Sequence, residues 1–301
     1  MSTPPSRSAV PVLSAEALTF RYGDVTGVDG LTLQVGEGRR LAIVGANGAG
    51  KTTLLLHLNG THRPVSGRVL LRGAPVAYDR AGLTALRTAV GLVFQNPDDQ
   101  LFAGSVFQDV SFGPLNIGLS EAEARERVED ALDALEIAHL RDRPTHMLSY
   151  GQKKRAAIAG AVAMRPEVLI LDEPMAGLDP SGSWHLMGLL TRLHESGTSL
   201  VVATHDMSLA YEWADEVAVL RQGRIVAHGD PQDVMHDPAE LAHCGLRVPW
   251  VADIAQTLRE CGVIPPDVPL PRTREQLKDL LVARCGVTGA RPRDLHVYFT
   301  E

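Results

Sequence analysis

A loop rich in small residues directly follows an apolar run at positions 41–44. It matches the pattern G-x-x-x-x-G-K-[ST], with Gly45, Gly50, Lys51 and Thr52 in register. Small residues let the backbone curl so that several N–H groups face one polyphosphate, and a following helix adds its positive N-terminal end. Lys51 would neutralise the β- and γ-phosphates, while the Thr52 hydroxyl would bind Mg²⁺. The sequence therefore predicts a nucleoside triphosphate site formed by Gly45, Ala46, Asn47, Gly48, Ala49, Gly50, Lys51, Thr52 and Thr53.

Two adjacent carboxylates, Asp172 and Glu173, follow a second apolar run at positions 168–171. Such a run is typical of a buried parallel strand. Because successive side chains of a strand point to opposite faces, we expect Asp172 to bind Mg²⁺ and Glu173 to face the attacking water. Acidic residues at the end of a strand are common by themselves. In a chain that also carries a phosphate loop, they support the predicted nucleoside triphosphate site.

A third motif, LSYGQKKR, begins a predicted helix at positions 148–155. It resembles the signature motif of ATP-binding-cassette (ABC) ATPases, usually L-S-G-G-Q, which lies shortly before the carboxylate strand. Tyr150 stands where the family has its first glycine, and this departure concerns packing around the motif more than phosphate contact. The resemblance implies that Ser149, Gly151 and Gln152 contact ATP bound by a second cassette. A serine that merely caps a helix would explain Ser149 but not the whole motif.

Other elements of a cassette occur in family order between positions 12 and 240. The resemblance implies that Gln95 binds the metal and couples to a membrane partner, and that Asp179 lies in the loop crossing a dimer interface. It also implies that His205 contacts the γ-phosphate and that Tyr22 stacks on adenine. Any one of these residues alone would more often have a structural role. Their occurrence together in the family order is what supports the assignment.

The resemblance also implies a mechanism with ATP and Mg²⁺ as cofactors. Glu173 would polarise the water, which Gln95 and His205 would position for in-line attack. The expected Mg²⁺ ligands are Thr52, Gln95 and Asp172.

At 301 residues the chain can hold one large domain plus a small one, and its hydrophobic content of 45% is ordinary for a globular protein. No apolar run approaches the roughly 18 residues needed to span a bilayer. The net charge of −7 lacks the basic excess of a nucleic-acid binder, so we expect no nucleic-acid partner. The cysteines are odd in number and widely spaced along the chain, at Cys244, Cys261 and Cys285. This pattern favours reduced thiols in the cytosol.

The expected fold class is α/β, with a P-loop ABC ATPase core, a β-rich N-terminal part, an inserted α-helical subdomain and a small C-terminal appendage. Positions 12–44 and 67–77 read as strands, and Ser120 with Glu123 predicts a capping box at a helix start. Later strands, near 168–171, 199–204 and 216–220, alternate with helices as a parallel sheet requires. Two short helices are expected near 250–261 and 273–284. The predicted division is a tail at 1–11, an ATPase domain at 12–240 with its helical subdomain at about 96–160, and an accessory domain at 241–301.

Positions 94–102 and 107–114 resemble the ATPases of energy-coupling-factor importers, in particular the cobalt/nickel type. This resemblance implies a second ATPase subunit (the same chain or a paralogue), a transmembrane coupling protein, and a substrate-binding membrane protein. It implies a peripheral location on the cytoplasmic face of the cell membrane. The cargo would be a cobalt or nickel ion, with a vitamin as the other candidate.

Large apolar residues between Gln95 and Pro114 are expected to divide between the core of the helical subdomain and a groove that receives helices of the coupling protein. We predict that Val106 and Phe112 are buried and that Leu101 and Phe102 line the groove. The alternative for Pro97, Asp98 and Asp99 is a simple surface turn.

Two other classes of protein fit less well. A soluble ABC ATPase of a repair or translation machine would carry a long insertion or a second cassette, and positions 95–148 leave no room for the insertion. A P-loop GTPase would need an Asn-Lys pair, which does not occur. A metal site at His228, His236, His243 and Cys244 is also disfavoured, because their spacings match no standard zinc pattern.

Overall fold

The structure, a computed structural model, describes residues 10–285; most of the predicted tail and the last part of the C-terminal appendage lie outside this range. The strands of the described part are β1 (Leu13–Tyr22), β2 (Val25–Val35), β3 (Arg40–Val44), β4 (Ser66–Leu71), β5 (Ala74–Pro75), β6 (Val90–Val93), β7 (Val168–Asp172), β8 (Ser199–Thr204), β9 (Glu216–Arg221) and β10 (Arg224–Gly229). Its α-helices are α1 (Lys51–Leu58), α2 (Arg80–Ala89), α3 (Val106–Asn116), α4 (Glu121–Ala134), α5 (Tyr150–Val162), α6 (Pro180–Glu195), α7 (Met207–Trp213), α8 (Pro231–Val234), α9 (Pro238–His243), α10 (Trp250–Glu260) and α11 (Arg274–Cys285).

A six-stranded sheet in the order β10-β9-β3-β8-β7-β6 forms the centre of the molecule. Its strands are parallel except β10, which pairs antiparallel with β9. Every residue of β7 and β8 is buried, as expected for apolar strands covered on both faces. Because parallel strands end at one edge of a sheet, β3, β6, β7 and β8 deliver the loops that follow them to the same place.

A second, antiparallel sheet in the order β2-β1-β4-β5 forms the β-rich N-terminal part. In β2 the alternation predicted from sequence is present, since Leu31, Leu33 and Val35 are buried while Thr32 and Gln34 are exposed. The buried residues share a core with β3 and α1. This sheet therefore brings the end of β1, with Tyr22, next to the phosphate loop.

The predicted helical insertion consists of α3, α4 and α5, which pack on one another. The capping box of Ser120 and Glu123 is confirmed at the start of α4. In α3, Val106 and Val110 lie one helical turn apart and are fully buried. Phe112 is 52% exposed, so its predicted burial is wrong. It lies two residues past Val110, about 200° around the helix, and so on the opposite face.

The two predicted C-terminal helices are present as α10 and α11. Val251 and Leu277 from these helices join the same hydrophobic core as the central sheet. The Arg272 guanidinium donates hydrogen bonds to the main-chain oxygen of Tyr211 at 2.7 and 2.9 Å. The appendage is thus packed on the α/β core rather than on a core of its own. The described residues contain no cluster of three or more His, Cys, Asp or Glu side chains suited to a metal.

Candidate nucleotide-binding site

The phosphate loop runs from the end of β3 to the start of α1, as the motif predicts. Gly50 caps the helix with φ of 107°, a left-handed conformation that favours glycine. A Cβ atom at this position would also overlap the main-chain oxygen of Gly27. Lys51 is buried, and its ammonium donates to the main-chain oxygen of Gly45 at 2.7 Å. The loop therefore presents the N-terminus of α1 and a buried cation at one place, which suits an anionic ligand.

A cleft of about 240 Å³ lies in front of this loop. It joins the residues predicted from four separate parts of the sequence: the aromatic ring at the end of β1, the phosphate loop, the glutamine after β6 and both carboxylates. The cleft is lined by Tyr22, Val25, Thr26, Gly27, Ala46, Asn47, Gly48, Gly50, Lys51, Thr52, Thr53, Gln95, Asp172 and Glu173.

Asp172 is the last residue of β7 and meets the phosphate loop directly. The Thr52 hydroxyl donates to a carboxylate oxygen of Asp172 at 2.6 Å. Burial raises the pKa of Asp172 above its usual value, while the hydrogen bond from Thr52 opposes that shift. A hydroxyl and a carboxylate are therefore held together inside the cleft.

Glu173 reaches the cleft in a way that differs from the prediction. The strand ends at Asp172, and Glu173 adopts a φ of 44° beyond it, so strand alternation does not set its direction. One carboxylate oxygen lies 2.9 Å from Nδ1 of His205 and 3.9 Å from the Lys51 ammonium. The other accepts a hydrogen bond from the Thr204 hydroxyl at 3.3 Å. His205 is thus joined to the site through Glu173, and Thr204 is a contact that sequence reasoning missed.

Lys154 is a second residue that sequence reasoning missed. It is 0% exposed, and its ammonium donates to the main-chain oxygens of Gln95 at 2.7 Å and Glu173 at 3.1 Å. Burial lowers its pKa to about 8, against the attraction of Asp172 and Glu173. Helical spacing could have revealed it, because positions 154, 157, 158 and 161 fall on one face of α5 and the last three are apolar.

Tyr22 is 47% exposed at the edge of the cleft. Its hydroxyl lies 2.9 Å from Nε2 of His62, whose ring stacks on Phe20 with centroids 5.0 Å apart. The Tyr22 ring is therefore held by a neighbour that lies 40 residues further along the chain. No motif pointed to His62.

The residues predicted to act on a partner's nucleotide lie apart from the cleft lining, and Ser149, Gln152 and Asp179 serve locally as helix caps. Ser149 accepts a hydrogen bond from Gln152 at the start of α5, and the Gln152 side chain accepts one from the Ser149 N–H. Asp179 caps α6 by accepting from Gly182 at 2.6 Å. The structure thus brings Tyr22, the phosphate loop, Gln95 and the carboxylates together, and leaves Ser149, Gly151, Gln152 and Asp179 outside the cleft of their own chain.

Within the described residues, no helix has the length and apolar character required to cross a membrane. The family model described as ABC transporter matches residues 28–176. The structure is similar to that of cbiO1 from Clostridium perfringens, described as part of the ABC transporter complex cbiONQ. The two share 43% identity with a TM-score of 0.70, over 82% of this chain and 99% of that one.

The chain belongs to the ABC transporter family, as one of its ATP-binding proteins. It is 59% identical to a cobalt import ATP-binding protein, CbiO, of Rhodobacter capsulatus, over 89% of this chain and 96% of the relative. It is 46% identical to the energy-coupling factor transporter ATP-binding protein EcfA of Methanocaldococcus jannaschii, over 84% of this chain and 91% of the relative. The chain is therefore an ATPase that powers transport, of the energy-coupling-factor type.

Proposed function

We propose that this chain is the motor of an importer that takes up a small substrate through a transmembrane coupling protein. A cobalt or nickel ion is the favoured cargo, with a vitamin as the other candidate, and a separate substrate-binding membrane protein selects it. The observation that carries the proposal is the cleft in which the phosphate loop, Gln95, Asp172 and Glu173 meet. The name of the R. capsulatus relative supports the choice of cargo.

The donor atoms beside the phosphate loop suit Mg²⁺. The Thr52 hydroxyl and the Asp172 carboxylate lie 2.6 Å apart, and Gln95 lines the same cleft. All three side chains offer the hard oxygen atoms that Mg²⁺ prefers, so we assign them as its ligands. When bound, the ion would neutralise charge on the β- and γ-phosphates of ATP.

Hydrolysis is assigned to Glu173 and its neighbours. Glu173 accepts the proton of a water that attacks the γ-phosphate in line, and ADP leaves from the opposite side. His205 and Thr204 hold the two carboxylate oxygens, which limits rotation of the base. Lys51, with the N–H groups of Ala46 to Thr53, holds the phosphates, and Tyr22 supports the adenine ring.

A second cassette completes the site in this proposal. Ser149, Gly151 and Gln152 lie at the start of α5 and do not line the cleft of their own chain. We assign them, with Asp179, to the γ-phosphate and interface of the opposite subunit. The outward position of these helix caps supports the assignment.

Coupling to the membrane is assigned to the segment after Gln95. Phe102 and Phe112, here called the aromatic pair, are 65% and 52% exposed and pack edge to face with centroids 4.8 Å apart. Paired exposed aromatics are typical of protein interfaces. We propose that the surface near 96–113, which carries the aromatic pair, receives helices of the coupling protein, which places the chain peripherally on the cytoplasmic face of the membrane. The domain division belongs to the same proposal, with an ATPase domain at 12–240, its helical subdomain at about 96–160, and a small accessory domain at 241–301.

Purification of the complex from detergent-solubilised membranes tests this function. We expect the full-length chain to co-purify with a membrane protein and to support ATP-dependent uptake of cobalt or nickel into proteoliposomes. Uptake of a vitamin in place of metal would change the cargo but keep the motor role. Recovery with nucleic acid or ribosomes, and without a membrane protein, would contradict the proposal.

A further inference from the structure

Among the described residues of the site, only Lys154 is fully buried and also contacts both the loop that carries Gln95 and the loop that carries Glu173. Lysine is almost never fully buried unless its ammonium is satisfied. Here the ammonium donates to main-chain oxygens 2.7 and 3.1 Å away, while the charges of Asp172 and Glu173 act on it without a hydrogen bond from their carboxylates. The carboxylate of Glu173 therefore remains with His205 and Thr204.

The two oxygens belong to residues at equivalent ends of neighbouring strands. Gln95 lies two residues after the end of β6, and Glu173 follows β7 directly, while β6 and β7 pair in parallel. Both residues direct their side chains into the nucleotide cleft. One ammonium thus fixes the main chain of two residues. These are Gln95, proposed to bind Mg²⁺ and to couple to the membrane partner, and Glu173, the proposed general base.

The same helix adds a second contact to Gln95. Tyr150, one turn before Lys154, places its hydroxyl 3.4 Å from the Gln95 main-chain oxygen. Its ring packs against Gly177, where any Cβ atom would overlap it. The start of α5 is therefore connected to the Gln95 loop by two side chains, and to the loop that carries Asp179 by one.

We propose that Lys154 is a positioning residue for ATP hydrolysis: it aligns Gln95 and Glu173 by holding their main-chain oxygens together. Because Lys154 lies on α5, the helix that Ser149 caps, a displacement of that helix is transmitted to both residues at once. This inference rests on the proposed roles of Glu173 and Gln95.

The test compares Lys154→Met with Lys278→Met in the full-length chain. Methionine keeps the length of the side chain but cannot donate to either oxygen. We expect kcat for ATP hydrolysis to fall at least roughly tenfold, since small misplacements of catalytic groups cost up to about 10². The Kd for ATP should stay within about threefold, because the phosphate contacts are elsewhere. Lys278 is exposed on α11 and does not line the cleft, so Lys278→Met should leave kcat nearly unchanged.

A second variant separates positioning from a general loss of stability. Lys154→Gln keeps two N–H donors without the charge, and we expect it to recover part of the kcat lost in Lys154→Met. In a Glu173→Gln background, Lys154→Met should lower the residual rate by a smaller factor than in the wild-type chain, because only the alignment of Gln95 remains to be lost. Thermal unfolding of each variant is measured beside the kinetics.

Three outcomes would overturn the proposal. These are an unchanged kcat in Lys154→Met, a parallel loss of ATP affinity and thermal stability in both the Met and Gln variants, and an additive loss in the Glu173→Gln background. The failure of the proposed function has a different signature. In that case Glu173→Gln itself would hydrolyse ATP at nearly the wild-type rate, whatever happens at Lys154.

Discussion

At the scale of single residues, Glu173 combines a left-handed backbone conformation with a buried side chain. A non-glycine residue with φ of 44° carries conformational strain, which surrounding contacts must offset. Its N–H donates to Ala203 at 2.9 Å, and its main-chain oxygen accepts from Lys154. These contacts hold the chain in a turn that places the carboxylate beside Lys51 and His205.

Replacement of Glu173 by glutamine tests its role as general base. The amide keeps the size of the side chain but cannot accept the proton, so turnover should fall by at least roughly 10² while ATP binding persists. Steady-state hydrolysis and equilibrium binding of ATP measure the two effects. Glu167→Gln, at the other end of β7 in an exposed pair with Arg72, is the matched control. A rate within tenfold of wild type would reduce Glu173 to a positioning role.

The contact between Tyr22 and His62 leads to a prediction about base recognition. Tyr22→Ala should weaken ATP binding about tenfold, since stacking of a base on an aromatic ring contributes roughly 1–3 kcal/mol. His62→Ala should cause a smaller loss, because the ring remains but loses its hydrogen bond at 2.9 Å. Binding of inorganic triphosphate, which has no base, is the control and should not change. Equal losses for ATP and triphosphate would show that Tyr22 does not contact adenine.

At the scale of elements, α3 presents two different faces. Val106 and Val110 lie on the buried face. Phe112 lies on the exposed face, where its ring packs against that of Phe102 from the preceding loop. Asp109 stabilises that loop, because its carboxylate accepts hydrogen bonds from the N–H groups of Phe102 and Ala103 at 2.9 and 2.8 Å. The aromatic pair is therefore displayed by a well-supported loop rather than by a frayed one.

Substitution of both members of the aromatic pair by serine should release the chain from membranes. Both side chains are more than half exposed, so folding and ATP binding should be retained. Membrane fractionation and ATP-binding measurements on the same preparation separate the two effects. Trp184→Ser, at another exposed aromatic residue on α6, is the control and should stay membrane-bound. Loss of ATP binding with unchanged membrane association would mean that the pair supports the fold instead.

At the scale of the whole molecule, the predicted site residues lie on two separate surfaces. The phosphate loop and carboxylates line one cleft, whereas Ser149 and Asp179 cap helices outside it. If these caps act on the nucleotide of a partner, hydrolysis requires two chains. The dependence of turnover per molecule on protein concentration would then report whether two chains share the site.

Turnover per molecule should therefore rise with protein concentration when the chain is studied alone. Glu173→Gln with ATP and Mg²⁺ should accumulate dimers in light-scattering measurements, because closure occurs without hydrolysis. Ser149→Arg should remove the concentration dependence while it leaves ATP binding to the monomer intact. A monomer at every concentration, with constant turnover, is the result that contradicts a shared site.

The sequence alone determined the parts of this protein that depend on local chemistry. The phosphate loop acts through backbone conformation and one helix N-terminus, and both are set by residues within nine positions of one another. Apolar runs predicted the buried strands, and the capping box predicted the start of α4. The α/β fold class followed from the alternation of these elements.

Only the tertiary structure decided which side chains support the site. Lys154 reaches oxygens 59 and 19 residues away, and His62 reaches Tyr22 across 40 residues. The turn of Glu173 and the exposure of Phe112 likewise depend on neighbours from other elements. Local periodicity reports whether a residue faces inward or outward, but not which atoms another element brings to meet it. Those contacts arise from packing between distant segments, and packing is a property of the folded chain as a whole.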